Sequence, residues 1–213
     1  MTKFKAIIFD MDGVLVDTEH YYYARRKAFL DSKGISIAHL SPLNFIGGNM
    51  KQVWHMILRD DYDKWDVPAL QADYLQYKLD NLMPYAELLF PDAKRTLDDL
   101  QAKGYKLGLA SSTAKLEILR ALKMTELLPY FKVILSGDDF KESKPNPEIY
   151  QVAMAKLGVI PAETLIIEDS EKGIAAGVDS KATVWAIKDT VFGLDQSRAT
   201  TLFDTLTEIS QQL

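Results

Sequence analysis

The chain has no cysteine and only three histidines among its 213 residues. Disulfides and thiolate metal sites are therefore excluded. His20, His39 and His55 do not stand at metal-ligand spacings, so a bound cation would have to be held by oxygen. Positive charge is in deficit as well: 25 Lys and Arg face 30 Asp and Glu, for a formal net charge of −5. A phosphate backbone is held by clustered cations, so a nucleic-acid partner is disfavoured. No apolar run approaches the ~20 residues of a bilayer-spanning helix. The N-terminus, Met1 to Lys5, leads straight into a strand-like segment and lacks the apolar stretch and cleavage site of a signal peptide. A Walker-type phosphate loop is also missing, which argues against a P-loop NTPase. These absences leave a soluble cytoplasmic protein, expected to be a monomer, with no membrane or nucleic-acid partner. The rest is ordinary for a packed domain, with 47% hydrophobic and 26% charged residues.

Five short apolar runs share one character: residues 6–9, 106–110, 133–135, 165–167 and 183–187. Most lack polar alternation, so they read as strands buried on both faces. Amphipathic segments separate the last four, and helices are expected over residues 92–103, 113–123, 147–157 and 170–177. This alternation predicts an α/β fold, Rossmann-like, with helices on both faces of a parallel sheet. One interval breaks the rhythm. About ninety-five residues lie between Asp10 and Lys106, far more than a crossover helix needs. Helical periodicity recurs there near residues 19–33, 50–58 and 68–83, without a strand. Residues 18–90 are thus expected to form an inserted α-helical cap domain, and residues 1–17 with 91–213 the α/β core. Asp17 and Thr18 read as the cap of the first insert helix and as a hinge. The charged stretch Arg59 to Asp66 reads as a solvated connection.

Polar residues collect where the strands stop. The first run ends at Asp10 and continues to Asp12 and Gly13, the second at Ser111, Ser112 and Thr113. The third leads through Asp138 and Asp139 to Lys144, and the fourth ends at Glu168, Asp169 and Ser170. In open α/β sheets ligands bind beyond the carboxyl ends of the strands, so these groups face one rim. Two like charges 4 Å apart repel by about 4 kcal/mol near a protein surface. Four converging carboxylates therefore call for protons or a cation, and a hard divalent ion such as Mg²⁺ suits an all-oxygen ligand set. Hydroxyls, backbone N–H groups at a helix start and the Lys144 ammonium would suit a phosphate. The two-residue spacing of Asp10 and Asp12 puts both on one side of an extended chain. One could attack phosphorus while the other handles the leaving group's proton.

Four segments carry a resemblance: Asp10 to Val14 ("DMDGV"), Ser111 after its strand, Ser143 to Tyr150 ("SKPNPEIY") and Ile166 to Gly177 ("IIEDSEKGIAAG"). In this order they resemble the four signature motifs of the haloacid dehalogenase superfamily. The chain looks like the phosphoglycolate phosphatase and β-phosphoglucomutase branch, whose helical cap follows the first motif. The resemblance implies Asp10 as nucleophile and metal ligand, and Asp12 as general acid/base with its backbone carbonyl on the metal. It implies Ser111 and Lys144 as binders of the phosphoryl group, and Glu168 and Asp169 as the acidic pair holding Mg²⁺, Asp169 the more direct ligand. Ser112, Thr113, Tyr22 and Gly48 are the expected substrate contacts. The dehalogenase members lack this full acidic set, so dehalogenation is not expected.

The cap separates two activities. β-Phosphoglucomutases carry a histidine about ten residues after the first motif, and an arginine and a lysine that grip a second phosphate. Here those places fall at Tyr22 and near Met50 and Asp73, although a small register shift would bring in His20 or Lys51. A missing second clamp favours hydrolysis of a small phosphorylated metabolite, with sugar-phosphate mutase as the alternative. A catalytically silent phospho-ligand sensor is a third reading, disfavoured because every required acid is present.

Overall fold

A computed structural model describes residues 4–45 and 50–213. Gly48 lies outside the described residues. Six strands are present among them: β1 (Ala6–Phe9), β2 (Lys106–Ser111), β3 (Val133–Ser136), β4 (Thr164–Glu168), β5 (Thr183–Ile187) and β6 (Thr201–Phe203). They pair in the order β3-β2-β1-β4-β5-β6, all parallel. The sequence announces the first five. It does not announce β6, a three-residue edge strand whose Thr201 and Leu202 are exposed. The charged stretch after the second insert helix forms an exposed 3-10 turn, Arg59–Lys64.

Strand period explains the layering, because successive side chains point to opposite faces. Ile7 and Phe9 pack with Leu97 and Leu100 of α4 (Ala93–Ala102), with Ile118 and Leu122 of α5 (Lys115–Met124), and with Leu206 and Ile209 of α8 (Leu206–Gln212). Ala6 and Ile8 face the other way. They meet Tyr150, Ala153 and Met154 of α6 (Glu148–Leu157) and Ile174 of α7 (Glu171–Asp179). Buried on both sides, β1 has no polar position until the residue after its end.

Between β1 and β2 lie α1 (Glu19–Ser32), α2 (Met50–Leu58) and α3 (Val67–Asp80). They form an apolar cluster of their own, with Phe29 and Leu30 against Trp54, Ile57, Leu70 and Tyr74. The chain leaves and re-enters the sheet side by side. Val16 bridges Leu89, Phe90 N–H donates to Leu15 O at 3.0 Å, and Asp17 N–H donates to Leu88 O at 2.8 Å. Among the described residues no helix is long and apolar enough to cross a membrane.

Ile8 is fully buried in the central strand, whereas Leu116 on α5 is 67% exposed. Ile8→Ala is expected to lower the unfolding free energy by about 2–5 kcal/mol. Leu116→Ala should stay within about 0.5 kcal/mol. Denaturant unfolding of both variants checks the contrast, and equal losses would contradict the layering.

Candidate active site

Register brings the strand ends level. Phe9 pairs with Leu109 on one side and Ile167 on the other, and Ser111 pairs with Ser136. The sheet order reverses between β1 and β4, the place where open α/β sheets form their crevice. A cleft of about 730 Å³ opens there, and Asp10, Asp12, Ser111, Lys144 and Asp169 all line it.

Lys144 is 4% exposed, and its ammonium ties the rim together. It donates to Asp10 Oδ1 at 2.5 Å, Glu168 Oε1 at 2.7 Å and Ala110 O at 2.9 Å. Burial works against its charge, but Asp10 and Glu168 outweigh burial and hold the amine above its ordinary value.

Glu168, wholly buried, is saturated. Tyr150 donates to Oε1 at 2.6 Å, while Asp169 N, Ser170 N and Ser170 Oγ donate to Oε2 at 3.0, 3.2 and 3.2 Å. Burial would raise its pKa, yet Lys144 and these donors bring the carboxyl below the usual range. Gly173 is required by its closeness: a Cβ there would stand 1.8 Å from Glu168 Oε1.

Asp10 and Asp169 are held differently. Burial raises both well above the carboxylate range, with Glu168 adding repulsion and Lys144 relieving it incompletely. Oxygens of Asp10, Glu168 and Asp169 lie within 4.8 Å of one another. The set is all-oxygen, and its negative charge exceeds what one lysine offsets. Those are the properties that a hard divalent cation fits. Gly13, at φ +77°, lets the chain turn under this group, since a Cβ there would stand 2.0 Å from Asp169 Oδ2.

The Asp12 side chain turns instead toward hydroxyls. Thr18 donates to Oδ1 at 2.7 Å, and Thr113 and Ser111 donate to Oδ2 at 2.7 and 3.2 Å. Burial raises its pKa and these donors pull it back, leaving it raised. Thr18 sits at the expected N-cap of α1, but its side chain makes no cap bond. The Asp12 carboxylate takes its hydroxyl instead, an interaction across two elements that no local cap signal reports.

The expected substrate contacts Ser112, Thr113 and Tyr22 all line the cleft. Ser143 Oγ donates to Ser112 Oγ at 3.3 Å, and the Tyr22 hydroxyl lies 3.3 Å from that of Tyr85. Asp138 accepts Lys115 N–H at 3.0 Å, and Asp139 accepts Ser136 N–H at 3.0 Å, so both acids serve local loops. His20 is exposed and lies 5.1 Å from the Phe192 ring, and Asp73 pairs with Lys33. Sequence spacing missed Glu19, Arg25, Arg26 and Lys78, which also line the cleft. A signal was there: Tyr22, Arg25, Arg26 and Phe29 fall on one helical stripe, and buried cations on such a stripe are unusual.

A family model described as haloacid dehalogenase-like hydrolase matches residues 7–187. The chain is 30% identical over 197 residues to a phosphorylated carbohydrates phosphatase of Thermotoga maritima, covering 92% of this chain and 89% of the other. It is 32% identical over 193 residues to the pyrophosphatase PpaX of Bacillus pumilus, covering 85% and 84%. In shape it is similar to a β-phosphoglucomutase of Clostridium difficile, with a TM-score of 0.81 over 97% of this chain and 93% of the other. At 23% identity that likeness speaks for the fold alone.

Glu19 is pushed up to about 8, by burial first and then by the charge of Asp12. A carboxyl with a folded value above its unfolded ~4.3 binds its proton more tightly when folded. Its contribution to stability is whole below about pH 4 and is lost as pH rises toward 8. In metal-free protein, Glu19→Gln should raise Tm at pH 8 by about 2–4 °C over the parent, and change it by less than about 1 °C near pH 4. A Tm difference independent of pH would contradict this.

Proposed function

The chain belongs to the haloacid dehalogenase-like hydrolase family, and we propose that it is a Mg²⁺-dependent phosphatase of a small phosphorylated metabolite, foremost a sugar phosphate. The observation that carries this reading is the meeting of Asp10, Glu168 and Asp169 beside one buried lysine. Its substrate class is supported by likeness to a phosphatase named for phosphorylated carbohydrates.

In this reading Asp10 is the nucleophile. Its Oδ1 is held by Lys144, while Oδ2 makes no hydrogen bond among the described residues. Oδ2 forms a bond to phosphorus as the bond to the leaving oxygen breaks, and Asp12 delivers its proton to that oxygen. The raised pKa of Asp12 suits that first step. Water then attacks the aspartyl phosphate and gives its proton to Asp12, releasing phosphate and restoring Asp10. Ser111 and Ser112 bind the phosphoryl oxygens, and Lys144 offsets their charge. Thr113 keeps the Asp12 carboxyl turned toward the leaving group.

Asp10 and Asp169, with the Asp12 backbone carbonyl, would hold Mg²⁺ directly. Glu168, its oxygens engaged, steadies Lys144 and the Asp169 backbone. When bound, the ion supplies positive charge to the phosphoryl group and to the acidic rim. Residues 18–90 act as a cap over the core formed by 1–17 and 91–213, with Tyr22 and Gly48 as contacts to the substrate. Closure excludes water from the transferring group. The enzyme would work in the cytoplasm as a monomer.

Asp10→Asn is expected to lower kcat at least ~10³-fold with Tm preserved, and EDTA should abolish turnover until Mg²⁺ is restored. The assay is phosphate release from sugar phosphates. Full activity in Asp10→Asn would remove the nucleophile. Supplying β-glucose 1-phosphate with a trace of bisphosphate separates the activities, because a mutase accumulates glucose 6-phosphate and a phosphatase frees phosphate.

A further inference from the structure

One glutamine stands apart from the loop that joins β5 to β6. Its neighbours Asp195, Ser197 and Arg198 are exposed, yet Gln196 is 7% exposed. Its side chain turns inward, to the gap where β4 and β5 end. The two strands pair as far as Glu168 and Ala186. Past that step the Gln196 amide takes over from the ladder. Nε2 donates to Asp169 O at 2.6 Å and to Ile187 O at 2.7 Å, and Oε1 accepts the Asp189 N–H at 2.9 Å. These partners fix the amide's orientation, because the reverse would turn its oxygen against two carbonyl oxygens.

Asp169 is the residue that this arrangement serves. Its N–H donates to Glu168 Oε2 at 3.0 Å and its carbonyl accepts from Gln196, so its backbone is held on both sides. Among the described residues no hydrogen bond reaches its carboxylate. The backbone clamp is therefore what aims that carboxylate, with Gly13 close against Oδ2. The loop that presents Gln196 is itself tied down. Asp189 accepts the N–H groups of Val191 and Phe192 on Oδ1, both at 2.9 Å, and that of Leu194 on Oδ2 at 2.7 Å. Ala199 N–H closes the other end on Gln196 O at 3.0 Å.

We propose that Gln196 is a positioning residue for the divalent cation, serving it through the backbone of Asp169 without touching it. The proposal rests on the reading of Asp10 and Asp169 as direct ligands. Losing a partner that orients a ligand typically costs about 10–100-fold in metal affinity. Two ions should feel that loss unequally. Mg²⁺ demands near-ideal octahedral geometry with short bonds, whereas Ca²⁺ accepts irregular sets of about six to eight oxygens. A mis-aimed Asp169 penalises Mg²⁺ more.

Calorimetry of Mg²⁺ and Ca²⁺ binding to the full chain tests this in wild type, Gln196→Glu, Gln196→Met and Arg198→Ala. Gln196→Glu keeps an acceptor for Asp189 N–H but sets a carboxylate against two carbonyls. Its added negative charge would by itself strengthen cation binding. Gln196→Met keeps the length and removes every polar atom of the amide. Both are expected to weaken Mg²⁺ at least ~10-fold and Ca²⁺ by less than ~3-fold. Arg198→Ala breaks a surface ion pair with Asp179 on the same loop and should leave both affinities within ~2-fold. Tm of the metal-free proteins reports folding, and where one Gln196 variant fails to fold the other carries the reading. Mg²⁺ affinity unchanged in the Gln196 variants overturns the proposal. An equal loss for the two ions, or failure of both variants to fold, also overturns it, because Gln196 is then a support of the fold alone. A loss in Arg198→Ala as large as in the Gln196 variants does the same. Wild type that binds neither ion overturns the metal reading itself, and the positioning role falls with it.

Discussion

The buried ammonium of Lys144 is the contact on which the arrangement of the rim depends. It joins four segments distant in sequence: the end of β1 through Asp10, β2 through the Ala110 carbonyl, the end of β4 through Glu168, and its own loop. Pairing with removed partners would be ruinous in such a place, because a buried charge left alone costs several kcal/mol. With Lys144 present, Glu168 keeps its charge and takes donors on both oxygens. Asp10 keeps one oxygen restrained and the other available. Asp10 and Asp169 are left with burial and mutual repulsion opposing their charged forms, a strain that a divalent ion would relieve.

Asp12 plays the complementary part between the two halves of the molecule. Its carboxyl is fastened by Ser111 and Thr113 beyond β2 and by Thr18 at the entrance to α1. The hydroxyl of Thr18 is thus committed to the rim rather than to its own helix. Any movement of α1 away from the sheet would break that bond and change the surroundings of Asp12. The position of the helical insert and the proton affinity of the rim are coupled through this carboxyl and through Glu19 of α1, whose charge adds to the rise of Asp169. The cleft brings the acids and Lys144 of the strand ends together with Glu19, Arg25, Arg26 and Lys78 of α1 and α3.

Much of this was legible in the chain. The double-sided burial of β1 is written in four consecutive apolar residues, and the polar residues beyond each strand mark the rim. The long interval after Asp10 announces an insert, and its helices lie close to where periodicity puts them. Edge strand β6 was not legible because three mostly exposed residues carry no apolar run. Thr18 stands at the N-cap position where the chain predicts it, but its hydroxyl serves Asp12 rather than the helix, because capping is a local rule and this partner belongs to another element.

The division follows from the range of the forces. Periodicity, turns and the absence of sulfur act over a few residues, so the α/β class, the oxygen-only chemistry and the acidic rim could be read from order and spacing alone. The exhaustion of the Glu168 oxygens, the meeting of Arg25, Arg26 and Lys78 at the cleft, and the seat of Gln196 between the ends of β4 and β5 arise between segments brought together by packing. Burial sets proton affinities, and burial is a property of neighbours in space. Only the folded molecule could decide those.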